Sequence, residues 1–321
     1  MEVAIGERRT RPRHHGDPWD LFGIYVRNFV FTVLTLGVYR FWAKTRVRRY
    51  LWSHTSFKDD RLEYTGAGKE LFLGFLIVVG VLTVVLGAYS ASFTWIWPDW
   101  FNDVQLQMLY NTPLMIGTIV LVGIARFRAR RYRLSRTLWR GIRGAQTGSA
   151  IEYGFRELAY WLLTFLTLGF YWPYMSTRLA GYRLNNTWFG DRRFAFDGVG
   201  DALLGRFALC WLLTLPTLGL CWFWYRAAAL RYYASRTRYE GLRFETNVDG
   251  RSLMWLVGTN MLLTTITLGL ASAYVMIRIA NFVTENLEIV GEQDFASIAQ
   301  SLKPLPGTGE GLADAFDVGE F

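Results

Sequence analysis

The sequence predicts an all-α polytopic membrane protein built from five internal repeats of about 50 residues. Three observations support this fold class: a low charged fraction, long uncharged runs and a motif that recurs at a fixed spacing. Of the 321 residues, 52% are hydrophobic and 19% are charged. Soluble chains usually contain about 25% charged residues. The composition therefore argues against an ordinary soluble enzyme.

Uncharged runs of membrane-spanning length support the first part of this prediction. A helix of about 20 apolar residues crosses the hydrocarbon core, which is about 30 Å thick. Five uncharged runs reach that length, at 71–98, 104–125, 158–177, 207–225 and 252–277. A sixth run, 21–39, is interrupted only by Arg27. The chain is therefore expected to cross a membrane several times.

The motif Thr-Leu-Gly identifies the repeat. It occurs at 35–37, 167–169, 217–219 and 267–269, and the last three copies follow one another at intervals of 50 residues. A fixed period of this kind indicates stacked structural units. The glycine of each copy is expected to take the positive φ that ends a helix. The motif residues are Thr35, Gly37, Thr167, Gly169, Thr217, Gly219, Thr267 and Gly269.

Each unit is predicted to contain two helices and a short β-hairpin. An apolar helix ends at Thr-Leu-Gly, an aromatic and basic helix follows, and an alternating stretch with a polar turn completes the unit. Open hairpin edges cannot lie in lipid, so the hairpins are expected in water. The predicted units are 18–68, 69–150 with an insertion at 88–119, 151–200, 201–250 and 251–300. A polar tail, 1–17, precedes them, and an acidic tail, 301–321, follows and is expected to lie against the arginines.

The repeated motifs resemble a known family. They are a Leu-Thr-Leu-Gly-aromatic block at 34–42, a basic helix with Arg-Arg-Tyr and Ser-His-Thr at 48–55, and a Phe-x-Phe-x-Gly turn at 194–198. Together they are similar to the YjgN-like bacterial inner-membrane proteins, a domain of unknown function, over roughly residues 18–300. The second unit departs from the pattern through its insertion and the last through its loss of arginines. The resemblance implies a multi-pass protein of the bacterial inner membrane and supplies no catalytic residues.

Two topologies are compatible with the charge distribution. Residues 88–112, in the insertion region, contain no lysine or arginine, whereas 126–143 contains eight arginines. The positive-inside tendency therefore places the second segment in the cytoplasm. Six single crossings would put equivalent hairpins on opposite sides of the membrane. Five helical hairpins that turn near Thr-Leu-Gly would put every hairpin in the cytoplasm. We favour the second arrangement, in which the short return helices carry charges into the membrane or remain re-entrant.

Arginines at equivalent positions are the candidate site residues. Arg46, Arg178 and Arg278 lie nine residues after a repeat glycine, and Arg128 occupies the corresponding place in the displaced second unit. An aromatic residue follows four positions later, on the same helix face. Such arginines bind lipid phosphates or line an anion path. The alternative is that they reach towards the interface and bond to helix ends. Arg27, inside the first run, has the same two interpretations.

Several other polar residues are given structural roles. Glu152, Glu157 and Asp201 stand at the edges of the predicted spans and are expected to cap or solvate helix starts. Cys210 and Cys221 lie within one apolar run and are interpreted as small buried hydrophobic residues. No disulfide framework or zinc site is expected from two cysteines.

The functional prediction is correspondingly general. His54 is the only histidine outside the N-terminal tail, so we expect no enzymatic activity, no metal site and no cofactor. The formal charge of +9 lies mainly beside the spans, which favours anionic lipid on the cytoplasmic side over nucleic acid as the partner. One hypothesis is a channel or transporter for a small solute. The other is a structural or regulatory membrane protein that binds anionic lipid or partner proteins through a basic cytoplasmic face.

Overall fold

The structure, a computed structural model, describes residues 8–96, 104–292, 295–301 and 314–315. Residues 97–103, within the predicted insertion, and most of the acidic tail lie outside these ranges. The helices described are α1 (Pro18–Leu34), α2 (Arg40–Ser53), α3 (Gly68–Ile96), α4 (Val104–Arg136), α5 (Ala150–Leu166), α6 (Trp172–Asn185), α7 (Asp201–Leu213), α8 (Cys221–Ser235), α9 (Gly250–Ile266) and α10 (Ser272–Asn286).

The strands lie between successive helix pairs. They are β1 (Arg9–Thr10), β2 (Arg13–His14), β3 (Thr55–Phe57), β4 (Asp60–Tyr64), β5 (Thr137–Trp139), β6 (Ile142–Gln146), β7 (Thr187–Phe189), β8 (Arg192–Phe196), β9 (Thr237–Tyr239), β10 (Leu242–Thr246) and β11 (Leu287–Val290). After the N-terminal strands, the order helix, helix, strand, strand recurs along the chain, and the last helix pair is followed by β11 alone.

The predicted all-α polytopic class is wrong. The hairpins do not stand alone but join into an eleven-stranded antiparallel sheet, because each hairpin also pairs with the next along the chain. Among the described residues, only α3 and α4 are long and apolar enough to cross a membrane. The uncharged runs indicated more crossings because 158–177, 207–225 and 252–277 each contain the end of one short helix, a turn and the start of the next. The run 21–39 contains most of α1 and the turn that follows it.

The N-terminal segment closes the sheet into a ring. Its two strands stand at the two ends of the strand order: β1 pairs with β11, and β2 pairs with β3. Only residues 11 and 12 separate β1 from β2. The helices follow the same circle, since α1 packs against both α2 and α10. Leu21 of α1 is fully buried in this junction, against Val47, Ala273 and Ile277. The first and last helix pairs are therefore neighbours.

A C-terminal segment fills the centre of the sheet ring. Phe295 and Ile298 are buried in a cluster to which every strand from β3 to β11 contributes at least one apolar side chain. Phe295 meets the rings of Trp139 and Phe57 edge-on, with centroids 4.9 and 6.1 Å away. The segment is also held by polar contacts, since the Gln300 amide donates to the carbonyl of Gly141 over 2.7 Å. This cluster is the core of the hairpin layer.

Buried polar contacts hold the closing segment in place. The side chain of Glu288 on β11 is only 4% exposed and accepts hydrogen bonds from Arg9, Arg11 and Asn247. The bond from Arg11 lowers the pKa of Glu288 below its usual range. On the other side, His14 Nδ1 lies 2.9 Å from the Thr55 hydroxyl. Burial, together with the charges of His54 and His15, lowers the pKa of His14 to about 4.

Acid is expected to loosen this closure. Because the folded pKa of His14 lies below its ordinary value of 6.5, the unfolded chain binds more protons between pH 6.5 and about 4, and stability falls as the pH drops through that window. Glu288 adds a further loss below its ordinary value of 4.5. We expect the hydrogen-exchange protection factor of the Gly291 amide, which donates to Arg8, to decrease below pH 6.5. In the variant His14→Gln the decrease should begin only near pH 4.5; an identical profile would contradict the assignment.

Candidate functional site: the faces of the helix pairs

The Thr-Leu-Gly motif forms the turn between the helices of a pair. The four glycines have φ between +81 and +94°, and the preceding leucines have φ of +49 to +51°. Two successive left-handed residues reverse the chain, and glycine takes this conformation without steric cost. The amide of Gly169, for example, donates to the carbonyl of Thr164 over 2.7 Å, which ends α5. Each motif residue named above lies in such a turn.

The motif threonine joins the two helices of a pair through hydrogen bonds. The hydroxyl of Thr35 donates to the carbonyl of Phe31 over 2.7 Å and accepts from the amide of Tyr39 over 2.9 Å. The same two contacts recur at Thr167, Thr217 and Thr267. The second helix of each pair begins at this amide, so the threonine serves as the N-terminal cap that the sequence otherwise lacks.

Arg27 and Arg46 are brought together between α1 and α2. With Arg49 they line a cavity of about 300 Å³, whose other lining residues are Ile24, Tyr50 and Ser53. No carboxylate lines this cavity. Arg27 and Arg49 are exposed, and Arg46 is half-buried with its guanidinium 5.4 Å from the centre of the Tyr39 ring. We call this cavity the arginine groove. Arg49, which the sequence analysis did not single out, is its third cation.

The equivalent arginines of two other pairs contact residues of their own pair. Arg178 is exposed, donates to the Tyr171 hydroxyl over 2.6 Å and lies 5.8 Å from the Tyr160 ring. Arg278 donates to the side-chain oxygen of Asn260 over 2.8 Å, and its guanidinium lies 5.8 Å from the Tyr274 ring. These arginines therefore lie at separate places around the ring, each between the helices of one pair.

Other predicted features have structural roles or lie elsewhere. Arg128 is exposed on α4. The tyrosines four residues beyond the arginines bind the start of the first helix of their pair: Tyr50 bonds to the backbone N–H and C=O of Asp17, and Tyr182 does the same at Ser149. They hold the two helices of a pair together at the hairpin end and do not contribute to a phosphate site.

The opposite side of α2 contains a different contact. Lys44 and Arg46 are two residues apart, which corresponds to a rotation of about 200° around a helix. Lys44 therefore points away from the arginine groove, and its ammonium group binds Asp314 over 2.5 Å. The Asp314 side chain is 7% exposed. The acidic tail therefore contacts a basic helix at this residue, through a lysine and not through one of the arginines that were expected as its partners.

Two predictions about buried residues have opposite outcomes. Cys210 and Cys221 are buried and free, as predicted. Glu157 does not cap a helix: it is 2% exposed and forms an ion pair with Arg126. Its carboxylate lies between α4 and α5, where Gly123 and Gly154 leave the space for it. The sequence contained a signal for the close contact between α4 and α5, because two glycines on facing helices permit a close approach.

A larger cavity lies at the closing segment. Its volume is about 790 Å³, and it is lined by cations of the N-terminal strands and by Lys58. Three carboxylates, Asp59, Glu285 and Glu288, face the same space. Arg9 and Arg11 already bind Glu288, so we interpret the charged lining of this cavity as part of the contacts that close the sheet ring. In the part of the chain that the structure describes, no three His, Cys, Asp or Glu side chains are grouped to hold a metal ion.

A closed ring of helix pairs with exposed apolar ends, two of whose helices are long and apolar enough to span a bilayer, indicates a membrane protein. The chain belongs to a family of bacterial proteins of unknown function, DUF898, whose sequence profile matches residues 9–223 and 201–315. This finding agrees with the YjgN-like resemblance of the sequence motifs. Its relatives place it in the inner membrane.

The relatives are inner membrane proteins named YjgN. That of Escherichia coli O157:H7 is 26% identical over 129 residues, which are 40% of this chain and 29% of the relative. That of Salmonella typhimurium is 34% identical over 65 residues, 20% of this chain and 16% of the relative. That of Escherichia coli K12 is 32% identical over 78 residues, which are 24% of this chain and 20% of the relative. The matches span less than a third of each relative. No solved structure matches the chain.

Proposed function

We propose that this inner-membrane protein binds anionic lipid headgroups and has a structural or regulatory role at the membrane surface. The observation that supports the proposal is the arginine groove, where Arg27, Arg46 and Arg49 line one cavity without a carboxylate. A guanidinium offers several fixed donors that match phosphate oxygens. The hydroxyl of Ser53, in the same cavity, adds a further polar group for a headgroup.

The depth of these arginines fits a lipid phosphate. Arg27 lies eight residues before Thr35 and Arg46 nine residues after Gly37, so both are about 12 to 14 Å from the turn along their helices. Arg178 and Arg278 are also nine residues from their turn glycines. Between arginine and turn the surface is largely apolar, with Phe29 and Leu34 well exposed in the first pair. Phosphates bound to these arginines would lie at one level around the ring.

We infer that α3 and α4 cross the bilayer with the hairpin layer on the cytoplasmic side. Both helices satisfy the length and composition of a span. The arginines of 126–143 stand where α4 meets the hairpins, and basic residues accumulate on the cytoplasmic side of spans. This placement puts the arginine groove opposite the leaflet that carries anionic lipid.

A channel or transporter receives less support. That hypothesis requires Arg46, Arg178 and Arg278 to line a shared aqueous path. Instead, each of them contacts residues of its own helix pair. The centre of the sheet ring is occupied by Phe295 and Ile298.

Lipid selectivity of the purified full-length protein tests the proposal. We expect native mass spectrometry to detect more phosphatidylglycerol than phosphatidylcholine bound to the wild type. In the variant Arg27→Gln/Arg46→Gln, phosphatidylglycerol affinity should fall about 30-fold, from a loss of about 1 kcal/mol per arginine. Phosphatidylcholine binding should not change. Inorganic phosphate at millimolar concentration serves as a competitor that distinguishes a lipid site from a site for free phosphate.

The matched control is Arg61→Gln/Arg238→Gln, which removes two exposed arginines from the strands and none from the groove. It should bind phosphatidylglycerol like the wild type. Equal loss in both double variants would indicate a general charge effect. Equal binding of the two lipids by the wild type would contradict the proposal directly.

A further inference from the structure

The ends of four helix pairs present apolar side chains to the outside. The motif leucines are among the most exposed residues of the protein: Leu36 is 95%, Leu168 78%, Leu218 92% and Leu268 93% exposed. Large apolar side chains flank them in every pair, for example Phe165 and Leu166, and Leu215 and Leu220. Exposed apolar surface repeated at four equivalent positions needs an apolar partner. We call these four turns, 35–37, 167–169, 217–219 and 267–269, the pair ends.

The backbone of the pair ends is satisfied internally. In the second of them, all six successive N–H groups from Thr167 to Trp172 donate to acceptors within residues 163–169. Five of the acceptors are carbonyl oxygens. The sixth is the Thr167 hydroxyl, which accepts from the amide of Tyr171. The same six contacts occur at each of the other three ends. A turn in hydrocarbon must satisfy its own donors, because no water is available there, and these turns do.

The pairs are too short to cross a bilayer. Helix α5 has 17 residues and α6 has 14, which correspond to about 25 and 21 Å. Their uncharged part is shorter, since Arg178 lies nine residues after Gly169, about 14 Å along the helix. Half of a 30 Å hydrocarbon core is about 15 Å. With the arginines at the phosphates, the pair ends therefore reach the middle of the bilayer and no further.

The second helix pair is different. The part of α3 that qualifies as a membrane span, Gly68–Ser92, has 25 residues and a length of about 37 Å, and α4 has 33 residues. Both are long enough to reach the far side of a bilayer. The first pair carries two additional cations between its turn and Arg46. Lys44 is paired with Asp314. Arg40, three residues after Gly37, has its guanidinium 4.9 Å from the Phe41 ring and 4.7 Å from the Phe75 ring of α3. Cation–π contacts of this kind stabilise a cation away from water.

We propose that the four pair ends are inserted into the hydrocarbon of the hairpin-side leaflet and stop near the bilayer midplane, and that α3 and α4 alone cross. The ring then stands in one leaflet, and one of its helix pairs continues across the bilayer. The partner of the apolar surface is acyl chain. The inference rests on the membrane location and the pair-end geometry, so it holds whether or not the arginine groove selects anionic headgroups.

Cysteine accessibility tests the insertion. Single cysteines replace Leu168, Leu218, Leu268, Asp191 or Asp99 in a background of Cys210→Ala and Cys221→Ala, and intact and inverted membrane vesicles are treated with a membrane-impermeant maleimide. We expect Asp191→Cys to react from one side only and Asp99→Cys from the other. The three leucine positions should react from neither side, and should react fully after detergent is added. Gel filtration of each variant identifies any that fails to fold.

Two results would overturn the proposal. Reaction of the leucine positions from the side that labels Asp99→Cys would show that the pairs cross the whole bilayer. Reaction from the side that labels Asp191→Cys would show that the pair ends lie outside the membrane. Neither result bears on phosphatidylglycerol selectivity, which the lipid-binding experiment measures separately.

Discussion

Replacing Arg126 with leucine is expected to destabilise the protein by about 3 to 5 kcal/mol, the cost of leaving a buried charge without its partner. Arg126 donates to Glu157, whose side chain is 2% exposed between α4 and α5. Gly123 and Gly154 bring these helices so close that a Cβ on Gly154 would lie 2.7 Å from the carbonyl oxygen of Val120. Water therefore has little room to replace the guanidinium. The measurement is the unfolding temperature of the detergent-purified protein.

The control for this substitution is Arg128→Leu, two residues further along the same helix, where the side chain is exposed. It should leave the unfolding temperature almost unchanged. The double variant Arg126→Leu/Glu157→Leu should recover most of the loss, because removing both charges removes the unpaired one. If Arg126→Leu and Arg128→Leu behave alike, the ion pair does not stabilise the contact between α4 and α5.

Replacing Phe295 with alanine is expected to cost about 3 to 5 kcal/mol through the cavity left in the hairpin layer. Its ring packs edge-on against Trp139 and Phe57, and the Lys58 ammonium lies 4.6 Å from its centre. Nine strands contribute side chains to the same cluster. We therefore expect faster hydrogen exchange in all hairpins and not only in the one nearest Phe295.

The exposed aromatic residue Phe155 on α5 provides the control. Phe155→Ala should leave hairpin exchange unchanged in the same detergent. A loss of protection confined to β3 in Phe295→Ala would contradict the role of the C-terminal segment as the common centre of the sheet ring.

Local features were predictable from the sequence because they depend on nearby residues. The glycine of Thr-Leu-Gly ends a helix with positive φ in all four copies. The alternation around Gly190 and Asp191 indicated a hairpin, which is present as β7 and β8. The burial of Cys210 and Cys221 followed from their position in an apolar run. In each case a few neighbouring residues carry the whole signal.

Long-range features were not predictable in the same way. The all-α prediction failed because the hairpins were considered individually, whereas Leu62 of one hairpin pairs with Trp139 of the next, across a helix pair and its insertion. Closure of the ring depends on Arg9 and His14, in a tail with no apolar pattern. Arg27 and Arg46 were separate candidate contacts in the sequence, and only folding brings them to one cavity together with Arg49.

The depth of Leu168 in the bilayer tests the central claim most directly. A nitroxide is attached to Leu168→Cys in the background without Cys210 and Cys221, and its collision rates with two reagents are compared. One reagent is oxygen, which concentrates at the midplane, and the other is a water-soluble nickel chelate. We predict high oxygen and low nickel accessibility, which corresponds to about 14 Å below the phosphates, a depth near the bilayer centre. Nickel accessibility at Leu168 equal to that at the exposed hairpin residue Asp191 would contradict the account.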